Sequence, residues 1–172
     1  AEQSAVATLD VMPAQLAELD ALVTPETVPA GAVATLAVTG VDLYGNPVDV
    51  DEATVSVDDA VTVGADNSLV AELVGNYTAE VVQDTVSATA SWTVVPAEPA
   101  NIVFAVDETS GIEAGDDVED SVTVVDAFGN ECDVDAMVAC DDPSVEVDDD
   151  ELEFSTDGVF TCSASVTGTD LL

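Results

Sequence analysis

The sequence contains no lysine, arginine or histidine among its 172 residues, whereas aspartate and glutamate together number 37. Average proteins are about one-quarter charged and carry both signs, so this absence is not a sampling accident. Nucleic acids and anionic membrane surfaces are bound through cationic side chains. We therefore expect neither as a partner, and ion pairs between side chains cannot form.

Three explanations of the acidity remain open. One is function in high salt, because screening to a Debye length of about 3 Å at 1 M makes the repulsion tolerable. The second is calcium binding along the surface, and the third is a secreted polymer selected to lack trypsin-type cleavage sites. In each case, crowded carboxylates are expected to repel one another and so to raise their pKa values in the folded state. Stability would then increase as the pH falls, or when salt or calcium is added.

Aromatic residues and long apolar runs are also scarce. Aromatics make up 4 % of the chain, and apolar residues make up 48 %. No run approaches the roughly 18–20 residues of a membrane span, so membrane insertion is not expected. No window keeps a 3.6-residue period, whereas valine alternates with polar residues, and branched side chains favour strands. The sequence therefore predicts an all-β fold.

An internal repeat organises the chain. "VDLYGNPVDV" at 41–50 recurs as "VDAFGNECDV" at 125–134, and "LVAELVGNYTAEV" at 69–81 recurs as "LEFSTDGVFTCSA" at 152–164. "PAQLAEL", which begins at Pro13, aligns with "PANIVFA", which begins at Pro99. Each copy contains many short segments of strand character separated by turn residues, which indicates an immunoglobulin-like β-sandwich. We expect two such sandwiches in tandem.

The domain limits expected from this repeat are out of phase with the chain. "SAVATLDVMP" at 4–13 aligns with "SATASWTVVP" at 87–96, the last strand of the first copy. We therefore assign 13–96 to the first domain, 97–172 to a second domain that lacks its own last strand, and 1–12 to a last strand for a neighbouring unit. Strand addition between copies does not close on itself and so propagates as a filament. Val6, Leu9 and Val11 are the residues expected to matter in that donor strand.

The motif V-x-D-x-x-G-N-P-V, preceded by "VPAG" and followed by a V-x-V strand, resembles the bacterial immunoglobulin-like domains of invasin- and intimin-type surface proteins. The resemblance covers nearly the whole chain in two copies. The second copy departs from it, because Glu131 and Cys132 replace Pro47 and Val48. The resemblance implies a cell-surface location and a stalk or binding role, and its motif is more specific for fold than for function.

All three cysteines lie in the second copy. In an immunoglobulin-type sandwich, Cys140 and Cys162 fall on neighbouring antiparallel strands at inward-facing positions, so we favour a disulfide between them. Free buried thiols and a bridge that uses Cys132 are the alternatives. A disulfide implies an oxidising compartment. Cys132 would then be the odd thiol, either free or bonded between subunits.

Acidic clusters are the candidate calcium ligands, since calcium takes six to eight oxygen ligands. The candidates are Asp116, Asp117, Asp148, Asp149 and Asp150. A solvated acidic face explains the same clusters, and no other cofactor is expected. Asn76, in "NYT", fits the pattern of a glycosylation acceptor.

No catalytic constellation is present, because no histidine or lysine can activate a thiol and small sandwiches rarely form a cleft between paired carboxylates. We therefore do not expect an enzyme. The sequence favours a structural subunit of an extracellular or cell-surface filament, assembled head-to-tail from copies of this chain. The alternative is the stalk or binding module of an adhesin, joined to flanking domains of a longer chain.

Overall fold

A computed structural model describes residues 3, 5–148 and 150–166, and the described chain folds entirely into β-strands and connecting turns. No helix among these residues has the length and apolar character needed to cross a membrane. The strands are β1 Leu16–Thr24, β2 Thr27–Pro29, β3 Val33–Asp42, β4 Pro47–Val48, β5 Thr54–Ser56, β6 Val61–Val63, β7 Ser68–Ala71, β8 Gly75–Gln83, β9 Val86–Val95, β10 Pro99–Val106, β11 Asp117–Asp126, β12 Ala136–Cys140, β13 Val145–Asp148, β14 Glu151–Phe154 and β15 Cys162–Val166.

The chain divides into two compact units. Unit 1 comprises the residues up to Val28 together with Ala32–Ala71 and Gly75–Val94. Unit 2 comprises Pro29–Gly31, Glu72–Val74 and the chain from Val95 onward.

Unit 1 is a sandwich of two antiparallel sheets. One sheet has the order β1-β3-β7-β6, with β4 paired to β3, and the other has the order β2-β9-β8-β5. The alternating pattern turns one face of each strand inward, where branched and aliphatic side chains pack. The most deeply buried of these side chains are Val23, Leu36, Leu69, Val81 and Val94.

Unit 2 repeats this plan with fewer strands. Its sheets are β10-β11-β14-β13 and β12-β15. By register and sequence, β10, β11, β13 and β14 correspond to β1, β3, β6 and β7, whereas β12 and β15 correspond to β5 and β8. An isolated bridge between Val125 and Glu131 takes the place of the β3–β4 pairing. No strand within the described part of unit 2 corresponds to β2 or β9. The all-β fold with tandem immunoglobulin-like units is confirmed.

The pairing of the first strands corrects one part of the predicted repeat. Leu19 of β1 lies opposite Gly40, and Ile102 of β10 lies opposite Val124, the residue that corresponds to Gly40. Leu19 therefore corresponds to Ile102 and not to Ala105. The sequence alignment was wrong here because it matched two Pro-Ala dipeptides that occupy different positions in the two units.

The cysteines lie on the smaller sheet of unit 2 and beside it. Cys140 of β12 is directly opposite Cys162 of β15, and the two are joined by a disulfide. Cys132 is a buried free cysteine. Its thiol is within 3.7 Å of the carbonyl oxygen of Ala97, and burial, followed by the charge of Asp126, raises its pKa. The thiol is thus a poor nucleophile, because its thiolate form is disfavoured.

Reduction of the disulfide is expected to lower the free energy of unfolding by about 2–4 kcal/mol, since the bond restricts the unfolded chain. Urea unfolding with and without a phosphine reductant measures the difference. The double variant Cys140→Ala, Cys162→Ala should unfold at the same urea concentration under both conditions. A midpoint that does not respond to reductant in the parent chain would contradict the expectation.

Candidate functional site

A groove of about 670 Å³ opens in unit 2 between its two sheets. It is lined mainly by apolar side chains. The larger apolar residues are Phe104, Val106, Ile112, Val118, Leu152, Phe154, Val159 and Phe160.

The groove lies where unit 1 has strand β9. In unit 1, β9 lies between β2 and β8 in the same sheet. In unit 2, Ile112 corresponds to Val28 of β2, and Cys162 belongs to the strand that corresponds to β8; both line the groove. Among the described strands, β15 pairs only with β12. A strand beside the second edge of β15 would take the place that β9 has in unit 1.

The side chains around the groove are less covered than their counterparts in unit 1. Val23 is 1 % exposed and Tyr77 is 9 % exposed. The corresponding Val106 and Phe160 are only half-buried. Apolar surface left in water costs about 25 cal/mol per Å², so covering this groove would be favourable.

Each unit has one aromatic pair, and the two pairs are built differently. In unit 1, Tyr77 stacks on Trp92 of β9, with ring centroids 5.5 Å apart. In unit 2, Phe160, the counterpart of Tyr77, packs against Phe154 of β14 at 5.3 Å. The partner ring thus comes from the opposite sheet in unit 2.

The turn of the repeated motif holds the chain that enters unit 1. The Oδ1 atom of Asp42 accepts hydrogen bonds from the backbone N–H groups of Tyr44 at 2.8 Å and Asn46 at 2.9 Å. Its Oδ2 atom accepts from the backbone N–H of Ala14 at 2.8 Å and from Asn46 Nδ2 at 2.9 Å. Gly45 has φ of 82°, which the turn requires and glycine readily adopts. The turn therefore fixes the backbone that leads into β1.

Unit 2 repeats this arrangement. Asp126 accepts hydrogen bonds from Phe128 and Asn130 through Oδ1, and from Ala97 N and Asn130 Nδ2 through Oδ2. Sequence reasoning identified the repeated motif but missed the role of its aspartate. The signal was available, because Asp and Asn recur together at the same spacing and Ala14 and Ala97 each follow a proline.

These hydrogen bonds determine the charge state of the two aspartates. The Asn46 side chain, followed by the N–H of Ala14, lowers the pKa of Asp42 to about 2. For Asp126, burial is the largest influence and raises the pKa, but hydrogen bonds from Asn130, Ala97 and Phe128 outweigh it and bring the pKa to about 2. Both groups stay ionised well below the usual range.

The expected general rise in carboxyl pKa values is wrong for several groups. Hydrogen bonding to Ser68 lowers the pKa of Asp66, and hydrogen bonding to Ser144 lowers that of Asp142. In these acids, as in Asp42, local hydrogen bonds stabilise the carboxylate more than burial disfavours it.

Asp120 is the exception. It is buried on β11 at the position of Leu36, and its Oδ2 atom is buried without a hydrogen-bond partner. Burial, followed by the charge of Asp150, raises its pKa. A polar group thus occupies a core position in unit 2.

The predicted calcium ligands lie on or near β11, β13 and their adjoining turns. Asp117 begins β11, Asp148 ends β13, and the Oδ2 atom of Asp116 accepts a hydrogen bond from the N–H of Glu113. Asp149 lies outside the described residues. Within residues 3, 5–148 and 150–166, no three acidic, histidine or cysteine side chains converge as a metal would require. Calcium binding stays a prediction.

The other predicted residues have clear positions. Val6, Leu9 and Val11 are 93 %, 85 % and 86 % exposed, respectively. Asn76 lies on an exposed position of β8, and its Oδ1 atom accepts a hydrogen bond from the Thr93 hydroxyl at 2.8 Å. Its glycosylation is untested.

Solved structures that match this chain include bacterial surface proteins. The FdeC adhesin of Escherichia coli aligns with 91 % of this chain at 17 % identity and a TM-score of 0.49. Invasin, a bacterial integrin-binding protein, aligns with 88 % at 18 % identity and 0.49, and the S-layer protein SbsC aligns with 94 % at 19 % identity and 0.40. This chain spans 62 %, 37 % and 28 % of those three structures, respectively.

No family model matches the chain, and no curated protein sequence matches it. The adhesin and invasin matches agree with the resemblance to invasin-type surface proteins that the repeat motif predicts. At these identities and TM-scores, the functions of the matched proteins are not transferred to this chain.

Substitution Asp42→Ala is expected to lower the melting temperature near neutral pH, because five hydrogen bonds lose their acceptor. Since the pKa falls from 3.8 to about 2 on folding, the contribution of the Asp42 carboxylate is complete above pH 3.8 and disappears as the pH falls through about 2. The difference between variant and parent should therefore shrink over that range in a pH series of thermal melts.

Glu52→Ala, which removes one exposed carboxylate from a turn, is the control for net charge in that series. A deficit of Asp42→Ala that stays constant down to pH 2 would contradict the role assigned to the ionised carboxylate.

Substitution Asp120→Leu is expected to raise the free energy of unfolding by about 1–3 kcal/mol at neutral pH, since it removes a buried, unpaired polar atom and restores the residue found in unit 1. Because the pKa of Asp120 is raised, its destabilisation is fully present above the folded pKa and declines as the acid protonates. The gain should therefore be smaller at pH 3 than at pH 7 in urea unfolding. An equal or larger gain at pH 3 would contradict this account.

Proposed function

We propose that this chain is a structural, non-enzymatic subunit of an extracellular filament, in which the groove of unit 2 is completed by a β-strand from residues 5–13 of another copy. The observation that carries the proposal is the groove at the position of β9, whose apolar lining includes half-buried side chains such as Val106 and Phe160. In unit 1 the same position is filled by a strand whose sequence aligns with the start of the chain.

The donor segment has the properties that strand addition needs. Residues 5–13 precede β1, adopt no regular structure of their own, and expose Leu9 and Val11 to solvent. In the filament, these residues pair with the open edge of β15, and backbone hydrogen bonds supply much of the affinity. Each copy is both donor and acceptor, so the contact is heterologous and propagates.

The disulfide supports an extracellular setting, and the net charge makes assembly dependent on salt. The Cys140–Cys162 disulfide persists in oxidising compartments. A formal charge of −37 makes copies repel at low ionic strength. Salt of about 1 M reduces the Debye length to about 3 Å and so permits contact. Assembly is therefore salt-dependent in this proposal.

A second candidate is a stalk or binding module of an adhesin. Leu43 and Tyr44, in the turn after β3 of unit 1, are 80 % and 79 % exposed. An exposed aromatic beside a leucine is typical of a contact with another protein. In this case residues 5–13 would stay solvent-exposed and the chain would not self-associate.

Deletion of residues 1–12 tests the filament proposal. In about 1 M salt, the parent chain is expected to form species whose mass grows with protein concentration, whereas the deletion variant stays monomeric because it has no donor strand. Light scattering after size-exclusion chromatography and electron microscopy measure both. A variant in which residues 5–12 are replaced by glycine and serine, at unchanged length, should also stay monomeric. Filaments from the deletion variant, or a parent chain that is monomeric at every concentration, would refute the proposal.

A further inference from the structure

We propose that the groove of unit 2 is shaped for Leu9 of a second copy and excludes strands that carry tryptophan at that position, because Phe154 occupies the space that Trp92 fills in unit 1. This inference rests on the proposed function and adds the basis of its specificity. It predicts that the groove distinguishes residues 5–13 from β9, although both sequences have the pattern of a last strand.

The register of the donor follows from the entry into β1. The N–H of Ala14 binds Asp42 just as the N–H of Ala97 binds Asp126, so Pro13 corresponds to Pro96. Counting back from these prolines aligns the donor with β9 residue by residue. The inward-facing positions of β9 are Ala88, Ala90, Trp92 and Val94. The corresponding donor residues are Ala5, Ala7, Leu9 and Val11.

The same register separates the three residues expected to matter in the donor. Leu9 and Val11 correspond to the buried Trp92 and Val94. Val6 corresponds to Thr89, which is exposed on the outer face of β9. Val6 therefore faces solvent in the completed sandwich. It lies on the opposite face of the donor strand from Leu9 and so supplies a matched control.

The exchange of sizes concerns one position on β7 or its counterpart β14, and one position on β9 or the donor. In unit 1, β7 contributes the buried Ala71, and β9 contributes Trp92, which stacks on Tyr77. In unit 2, β14 places Phe154 at the position of Ala71, and its ring packs on Phe160. Unit 1 thus combines a small residue with a large one, and unit 2 combines a large residue with the smaller Leu9.

This complementarity has an energetic consequence. A tryptophan in the donor would meet the ring of Phe154, and overpacking of a filled site forces side chains and backbone to shift. A leucine opposite alanine would instead leave a cavity. The pairs Ala71 with Trp92 and Phe154 with Leu9 avoid both costs. The steric clash of a tryptophan donor with Phe154 is thus the repulsive contact that makes the groove specific.

The test uses peptides of residues 3–14 that cap the groove and stop assembly of the full chain. One peptide has the natural sequence, one carries Leu9→Trp, and one carries Val6→Trp. With the parent chain, the Leu9→Trp peptide should need a concentration at least roughly tenfold higher than the natural peptide to inhibit assembly equally. Val6→Trp should inhibit as well as the natural peptide, because position 6 faces solvent.

The same peptides are then applied to the full-length variant Phe154→Ala. Here the preference should reverse, with Leu9→Trp inhibiting better than the natural peptide. The ratio between two peptides on one acceptor does not depend on how much Phe154→Ala lowers the stability of unit 2. The double variant Phe154→Ala, Leu9→Trp should assemble at lower concentration than either single variant in sedimentation experiments.

The outcomes separate the two proposals. A parent chain that does not assemble, with a natural peptide that does not bind, overturns the proposed function and this inference with it. In a second outcome, the parent chain assembles and the natural peptide caps it, but the Phe154→Ala variant still prefers the natural peptide to Leu9→Trp. This outcome overturns the size exchange alone. Equal inhibition by Val6→Trp and Leu9→Trp overturns the register.

Discussion

Each sheet in this protein has one apolar face that must be covered, and the rest of the structure depends on how that is done. Unit 1 covers its faces with strands of its own, since β9 brings Trp92 and Val94 into the core. In unit 2, the four-stranded sheet faces only β12 and β15 among the described strands. The disulfide between those two strands holds the smaller sheet together beside the groove. In the proposed filament, a bond in that position keeps the acceptor strand β15 ordered before the donor strand binds.

The Asp-Asn turn fixes the entry to the first strand of each unit. Asp42 and Asp126 each accept a hydrogen bond from the backbone N–H of the residue that follows a proline, just before β1 and β10, respectively. In the proposed filament, the turn of Asp42 therefore holds the residue at which the donor segment 5–13 leaves unit 1 of its own chain. The repeated motif is thus a structural element of each unit, and its sequence is informative about fold more than about binding.

Much of this architecture could be predicted from the sequence, because valine alternation and the internal repeat report directly on strands and their order. The cysteine positions were also informative, since Cys140 and Cys162 align with two residues of unit 1 that neighbour each other across the β5–β8 pair. The errors have a physical origin. The first strands were misaligned because identical Pro-Ala letters hide a three-residue shift that only pairing partners reveal. Asp120 was not recognised as a core residue, since an acid within an acidic sequence gives no signal that it is buried.

The distribution of charge decides which edges can meet. With 37 acidic side chains and no basic ones, most surfaces of two copies repel each other, and acidic residues on edge strands such as β13 discourage unspecific pairing. Residues 5–13 depart from this pattern, because Asp10 is their only carboxylate. In the register of β9, Asp10 corresponds to Thr93, on the outer face, so in the proposed filament it stays in water while Leu9 and Val11 are buried. The low charge of residues 5–13 then reduces the cost of their approach to an acidic neighbour, and screening by salt lowers the remaining repulsion.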